Sequence, residues 1–257
     1  FFLDWPSNGT CDAKEGNRAV FIVALRSYLS VCKEAEITPD PTCEKVLSKL
    51  IKAEKNDVNL KQIVALSYLA GRTDKNAAAE KLTKGGAKGL STFMSYFILK
   101  ALAESSGIDK AVEIMKDYYG GMLSRGATSF WEDFNVEWLD GSGRIDEITP
   151  SGLKDLHGDH GAYCYKGFRH SLCHGWSCGP VQFLTEKVLG IEVLSAGCKK
   201  IAINPDLGNL EYVKGKFPTP YGVVGINAEK QNGKTVVSIS SPKGIEIVSE
   251  NGNITQY

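Results

Sequence analysis

The stretch GATSFWEDF, residues 126–134, sets two adjacent carboxylates, Glu132 and Asp133, inside a run of aromatic side chains. A carboxyl group shielded by rings ionises less readily than one in water, and a second carboxylate beside it strengthens the effect. The same rings can stack on the apolar face of a sugar. Glycoside hydrolysis needs such an arrangement, an acid–base group held in a pocket that also grips a pyranose. The same residues also admit a structural reading. Trp131 and Phe134 would then be core, and Glu132 a helix cap or the partner of a lysine. A Trp-Glu pair alone does not separate the two.

A second cluster is RHSLCHGWSCGP, residues 169–180. His170 and His174 are four apart and could share a helix face. Zinc could use that spacing, but no HExxH accompanies it, and Cys173 beside His174 in sequence does not make a catalytic dyad. The remaining readings are histidines that brace core or loop, and a pocket in which neutral imidazole donates to a sugar hydroxyl. Trp176 could add a stacking face, as could Trp5 from FFLDW. A third cluster gathers Asp140, Asp146, Glu147, Asp155 and Asp159 with His157 and His160. The order of oxygen ligands in a calcium loop is absent, which leaves a solvated loop or a rim for sugar hydroxyls. Nothing in these clusters demands a metal or a nucleotide cofactor.

The elements that must position these groups are helices first and strands last. Phe21, Leu25, Tyr28, Leu29 and Cys32 recur at three- and four-residue steps, so that NRAVFIVALRSYLSVCKEA has one inward face. Thr38-Pro39 or Asp40-Pro41 makes a cap and first turn for a helix carrying Val46, Leu47, Leu50 and Ile51. Further helices are expected from Asn59 to near Gly71, over KNAAAEKL, from Ser91 to Glu104, after Gly107, and over SCGPVQFLTEKVLG. Short glycine-containing links between them point to helical hairpins. Regular periodicity is lost between Phe134 and Arg169, a span long for a structureless connection. After Gly190 the runs IEVLSA, KKIAINP, LEYVKGKFPTPYG, VVGINAEKQNGKTVVSISS and GIEIVSE turn β-branched or alternating. Asn232-Gly233 is a hairpin signal between two of them. The expected organisation is a mainly helical domain over 1–190 and a small antiparallel β-sandwich over 191–257.

Composition narrows the partners. The 257 residues carry 30 Lys+Arg against 30 Asp+Glu, a formal net charge of zero. No basic concentration follows a phosphate backbone, which argues against nucleic acid, and no apolar run is long enough to span a bilayer. The 7 cysteines have no repeated spacing, so a disulfide framework is not expected and a reducing compartment is mildly favoured. FFLDWPSNGT has neither an initiator Met nor a leader pattern, so the chain is expected to be a fragment with an upstream portion missing.

Taken together, collinear blocks add something that none carries singly. GATSFWEDF, RHSLCHGWSCGPVQFLTEKVLGI and KKIAINPDLGNLEYVKGKFPTPYG resemble, in order, the C-terminal half of glycoside hydrolase family 78, the α-L-rhamnosidases. FFLDW and STFMSYFILKALAESSGIDKAVEIM also look like that family. The resemblance covers most of the chain and is weakest between Lys33 and Ala87. It implies part of a six-hairpin (α/α)6 toroid followed by a C-terminal β-sandwich, and removal of terminal α-L-rhamnose with inversion. In the family's GATxxWE motif the glutamate is the base that activates water, a position held here by Glu132, and the histidine of its SLxH block falls on His174. Trp5 and Trp131 lie in segments that the resemblance places beside the sugar, and Asp133 and Trp176, next to the motif residues in sequence, are further substrate-binding candidates. The family's general acid belongs upstream of FFLDW and has no counterpart here. About seven helical segments cannot complete a ring of twelve, so the acid and the rest of the barrel are expected on a missing N-terminal part, and little hydrolysis from this chain alone. Sugar-degrading relatives are often exported, which favours a periplasmic or extracellular location over the cytoplasmic one that cysteine usage suggests. The competing functions are a non-catalytic carbohydrate-binding protein and a plain helical domain with a β appendage.

Overall fold

The computed structural model describes residues 2–4, 7–10, 12–156, 171–250 and 252–257. Its contacts divide into two compact units, Phe1–Pro180 and Val181–Tyr257.

In the first unit the apolar periodicity becomes six helices: α1 (Asp12–Glu34), α2 (Thr42–Lys52), α3 (Lys61–Leu69), α4 (Lys75–Thr83), α5 (Ser95–Ser106) and α6 (Ile108–Ser124). A short helix, α7 (Gly179–Phe183), runs into a π-helical turn at Leu184–Val188. Asp74 caps α4 as an N-terminal aspartate should, its carboxylate accepting the Ala77 N–H at 3.0 Å. Helix α1 packs on α2 and α3, α3 on α4 and α5, and α5 on α4 and α6. The odd-numbered helices therefore form a row with a partner each, which makes three hairpins side by side. Burial follows position in the row. Every residue of α3 from Lys61 to Ser67 is buried, whereas α2 buries none. Among the described residues the row stays open and no ring closes.

Buried charge pins the first hairpin to the second. Arg72, just past α3, sends Nε to Glu15 of α1 and Nη2 to the same carboxylate at 3.3 Å. Its Nη1 donates to the carbonyls of Leu50 and Ile51 at 2.9 and 3.0 Å, and its Nη2 to that of Glu54 at 3.0 Å. One guanidinium thus satisfies the orphan carbonyls at the end of α2 and neutralises a buried glutamate, which its five-donor fork suits.

The second unit contains two sheets around one apolar core. Strands β1 (Ile191–Val193), β2 (Lys200–Ile203) and β6 (Glu246–Val248) form one, in the order β1-β2-β6. Strands β3 (Tyr212–Thr219), β4 (Gly222–Gln231), β5 (Lys234–Ser241) and β7 (Gly252–Gln256) form the other, in that order. Ile201, Ile203, Val224, Ile226, Val237 and Ile239 supply the core from both. The Asn-Gly hairpin forms as expected. Asn232 and Gly233 take φ of 51° and 76°, and Gln231 faces Lys234 across the turn. The expectation of a wholly antiparallel domain needs correction, because β2–β6 and β5–β7 pair in parallel. After β5 the chain crosses to the first sheet for β6 and then returns to the second for β7. A strand that arrives by crossover can run parallel to its neighbour, which no two-residue hairpin allows.

Candidate active site

Helix α6 ends at Ser124, and the chain leaves it through Gly126, whose φ of +87° suits glycine alone. A Cβ there would run into the Asp146 carboxylate, which Arg144 holds through both oxygens at 2.9 and 2.6 Å. The strand-like segment that follows then pairs with a segment some forty residues on. Glu132 N–H donates to Ser171 O at 2.8 Å, His174 N–H to Phe130 O at 2.8 Å, and Ser129 Oγ to Leu172 O. This pairing is what brings GATSFWEDF and SLCHGWSC to one place.

The backbone at Glu132 is anchored twice more, its carbonyl accepting from Thr92 Oγ1 at 2.5 Å and from Trp176 Nε1 at 2.8 Å. Below it, Trp131 is 0% exposed and meets Phe134 edge-on at 5.7 Å. Phe134 in turn packs edge-on against Tyr118 at 5.1 Å, and the Tyr118 hydroxyl donates to Phe134 O at 2.6 Å. Of the two readings open for Trp131, its burial fits the core one. The ring is a floor, and it turns no face to solvent.

Glu132 itself is 8% exposed. Its Oε2 accepts the Ser171 N–H at 2.7 Å and lies 3.9 Å from His174 Nδ1. Among the described residues Oε1 has no donor. The open side carries three rings in sequence: His174 on Trp176 at 4.2 Å, and Trp176 on Phe93 at 5.0 Å. His174 is about a third exposed and Phe93 41% exposed, so these rings have faces that a ligand can reach. A carboxylate with one oxygen fixed and the other without a donor among the described residues can take a proton from water or accept a hydroxyl, and the flanking rings can cover an apolar sugar face.

Asp133 has a different environment. Burial pushes its carboxyl up to about 6, against the pull of the Phe134 N–H that it accepts at 2.9 Å. The nearby charges of Glu132 and Asp4 push the same way. Asp4 is the residue that sequence reading passed over. It is 3% exposed, and it accepts the Ser7 N–H at 3.0 Å and the Ser91 hydroxyl at 3.4 Å. An acid inside the apolar-aromatic FFLDW was the available signal, since a charge there must find partners. Phe93 was also missed as a surface ring. It falls within the helix expected from Ser91 to Glu104, but α5 starts at Ser95 and leaves it outside.

Glu132, His174 and Trp176 therefore meet, with Trp131 beneath, whereas Asp133 keeps to the Phe134 N–H and the charges of Glu132 and Asp4. Trp5, His170, His157, His160 and Asp159 lie outside the described residues. Asp146 and Glu147 are half-exposed and pair with Arg144, as the solvated-loop reading has them. No group of three or more His, Cys, Asp or Glu is placed to hold a metal ion among the described residues. Nor is any described helix long and apolar enough to cross a membrane.

Comparison with known proteins bears on both units. Residues 190–248 match the profile of the bacterial α-L-rhamnosidase C-terminal domain. The family 78 rhamnosidase of Bacillus sp. GL1 superposes with a TM-score of 0.56 at 24% identity, over 78% of this chain and 20% of that one. The α-L-rhamnosidase of Streptomyces avermitilis, solved with L-rhamnose, gives 0.62 at 18%, over 86% and 21%. That of Dictyoglumus thermophilum gives 0.61 at 18%, over 89% and 25%. At these identities the likeness is one of fold, and the chain spans about a fifth to a quarter of the length of these relatives. No curated protein matches the chain in sequence.

Proposed function

We propose that this chain is part of an inverting α-L-rhamnosidase of glycoside hydrolase family 78, with Glu132 as the general base. In this reading residues 1–190 belong to the (α/α)6 catalytic domain and 191–257 form its C-terminal β-sandwich. The observation that carries it is the Glu132 carboxylate, held at Oε2 by the Ser171 N–H and bordered by the reachable rings of His174 and Trp176. Support comes also from the matched C-terminal segment and from a fold shared with three rhamnosidases.

The mechanism follows from general acid–base chemistry. Glu132 Oε1 takes a proton from a water on one side of the sugar while that water attacks the anomeric carbon. A second carboxyl on the opposite face protonates the leaving oxygen, and inversion requires the two to stand far enough apart to admit the water. The acid in this reading comes from residues outside the 257. His174 donates to a sugar hydroxyl, Trp176 and Phe93 offer ring faces, and Trp131 keeps the loop rigid from below.

The test is Glu132→Gln in the longer protein. A glutamine keeps an amide oxygen for the Ser171 N–H but cannot take the proton, so kcat should fall about 10²–10⁴-fold with little change in melting. Near-normal turnover would remove Glu132 from the mechanism. Sugar binding without release of free sugar in the unsubstituted longer protein would favour a carbohydrate-binding protein instead.

A further inference from the structure

A second site lies in the other unit, on the β3-β4-β5-β7 sheet. The strand registers set two rows across its outward face. Lys214 pairs with Asn227, Asn227 with Ser238 and Ser238 with Asn253; Lys216 pairs with Gly225, Gly225 with Ser240 and Ser240 with Thr255. Alternation along each strand turns these residues to one side, while Val224, Ile226, Val237 and Ile239 turn inward to the core. The outer strands thus contribute the longer side chains and the inner strands the short ones. The result is a trough of about 530 Å³. That volume lies within the usual range for small-ligand sites. Gly225 keeps the floor low, since a Cβ there would meet Ser240 Oγ at 2.6 Å.

The charge of the lining is one-sided. It holds two lysines, two asparagines, two serines and a threonine, together with Gly215, Gly225, Ile226 and Ile239, and neither a carboxylate nor an aromatic ring. Among the described residues neither lysine has a carboxylate partner. Glu229, the nearest acid on the same face, sits one row further along the strand and accepts from Gln231. Two uncompensated ammonium groups ask for negative charge, and the amides and hydroxyls ask for a ligand rich in hydroxyls. The exposed ring of Tyr212 stands one row beyond Lys214, outside the trough, so within the trough itself a nucleobase or the apolar face of a neutral pyranose has no ring to stack on. The lysines are two residues apart, roughly 7 Å along the strand. That spacing suits one carboxylate per sugar rather than dense sulfation, which the bidentate fork of arginine serves better.

We infer that this trough binds an anionic oligosaccharide whose charge is the carboxylate of uronic acid residues, at a site independent of the Glu132 cluster. Lys214 and Lys216 meet the carboxylates, and Asn227, Asn253 and the hydroxyl row meet the ring hydroxyls. The experiment is titration of the intact 257-residue chain with an oligogalacturonate at low and moderate salt, read by calorimetry. The parent should bind, and added salt should weaken binding. Asn227→Asp, which sets a carboxylate mid-floor in nearly the same volume, should weaken it tenfold or more. So should the pair Lys214→Ala with Lys216→Ala, while Lys234→Ala at the hairpin and Glu132→Gln should leave it unchanged. Melting curves of each variant check that the sheet remains folded. Absence of binding by the parent would overturn the inference, as would affinity unmoved by the trough variants. Equal or tighter binding of a neutral maltooligosaccharide, a heparin oligosaccharide or a single-stranded oligonucleotide would also overturn it.

Discussion

At Asp133 the local physics makes a pH dependence that can be measured. Its folded-state carboxyl is raised to about 6, chiefly by burial and then by Glu132 and Asp4. A raised acid favours the fold while protonated. That stability is complete below the unfolded value near 4 and is lost as pH climbs through about 6. The loss amounts to at most about 3 kcal/mol. Asp133→Asn cannot ionise, and its side-chain oxygen can still accept the Phe134 N–H. The variant should match the parent at pH 4 and exceed it above pH 7, measured by urea unfolding at both. Equal pH dependence in the two proteins would place the titration elsewhere. His174 calls for a kinetic reading in the longer protein. Its ring sits on Trp176 and faces the Glu132 carboxylate at 3.9 Å. If it holds a sugar hydroxyl, His174→Ala should raise KM about tenfold or more and lower kcat less than Glu132→Gln does. A pure kcat effect would move it from binding to chemistry.

Among the elements, the joint between the first two hairpins depends on Arg72. Both it and Glu15 have side chains at most 2% exposed. Removing the guanidinium leaves the buried glutamate with Arg18 as its remaining ion-pair partner, at 2.5 Å, and strips the donors from the end of α2. Arg72→Met should therefore cost about 3–5 kcal/mol. Replacing both residues with apolar ones should cost less than the single change, because the desolvated charge goes with its partner. Thermal melts of the single and double variants distinguish the two, and a double variant worse than Arg72→Met would contradict this account. The carbonyls of Leu50, Ile51 and Glu54 make the joint one of geometry as well as charge. A lysine at 72 could not reach them together.

Over the whole molecule, three hairpins in an open row and a two-sheet unit stand where the rhamnosidases compared with it have four to five times the length. The purified 257-residue chain is accordingly expected to release no p-nitrophenol from p-nitrophenyl α-L-rhamnoside, and a longer protein containing it is expected to do so. Turnover by the chain alone would put the acid within it and make Asp4 and Asp133 the residues to substitute next. The parts set by short-range forces were legible in the order of residues. Period-3.6 apolar faces specified the helices, and Asn232-Gly233 specified a hairpin because both residues accept positive φ. The acid among aromatic rings marked the candidate site. How distant segments meet was left to long-range contacts. Ser129–Glu132 lies against Ser171–His174, with Glu132 and Ser171 39 positions apart in sequence, and that pairing sets which rings are floor and which are wall. The tertiary structure also brought Asp4 to the Asp133 carboxyl and laid β6 and β7 parallel to their neighbours. The reason is physical. A helical period or a two-residue turn is enforced within a few residues, whereas a strand's register and a carboxylate's neighbours depend on contacts whose loop-closure cost is indifferent to local sequence.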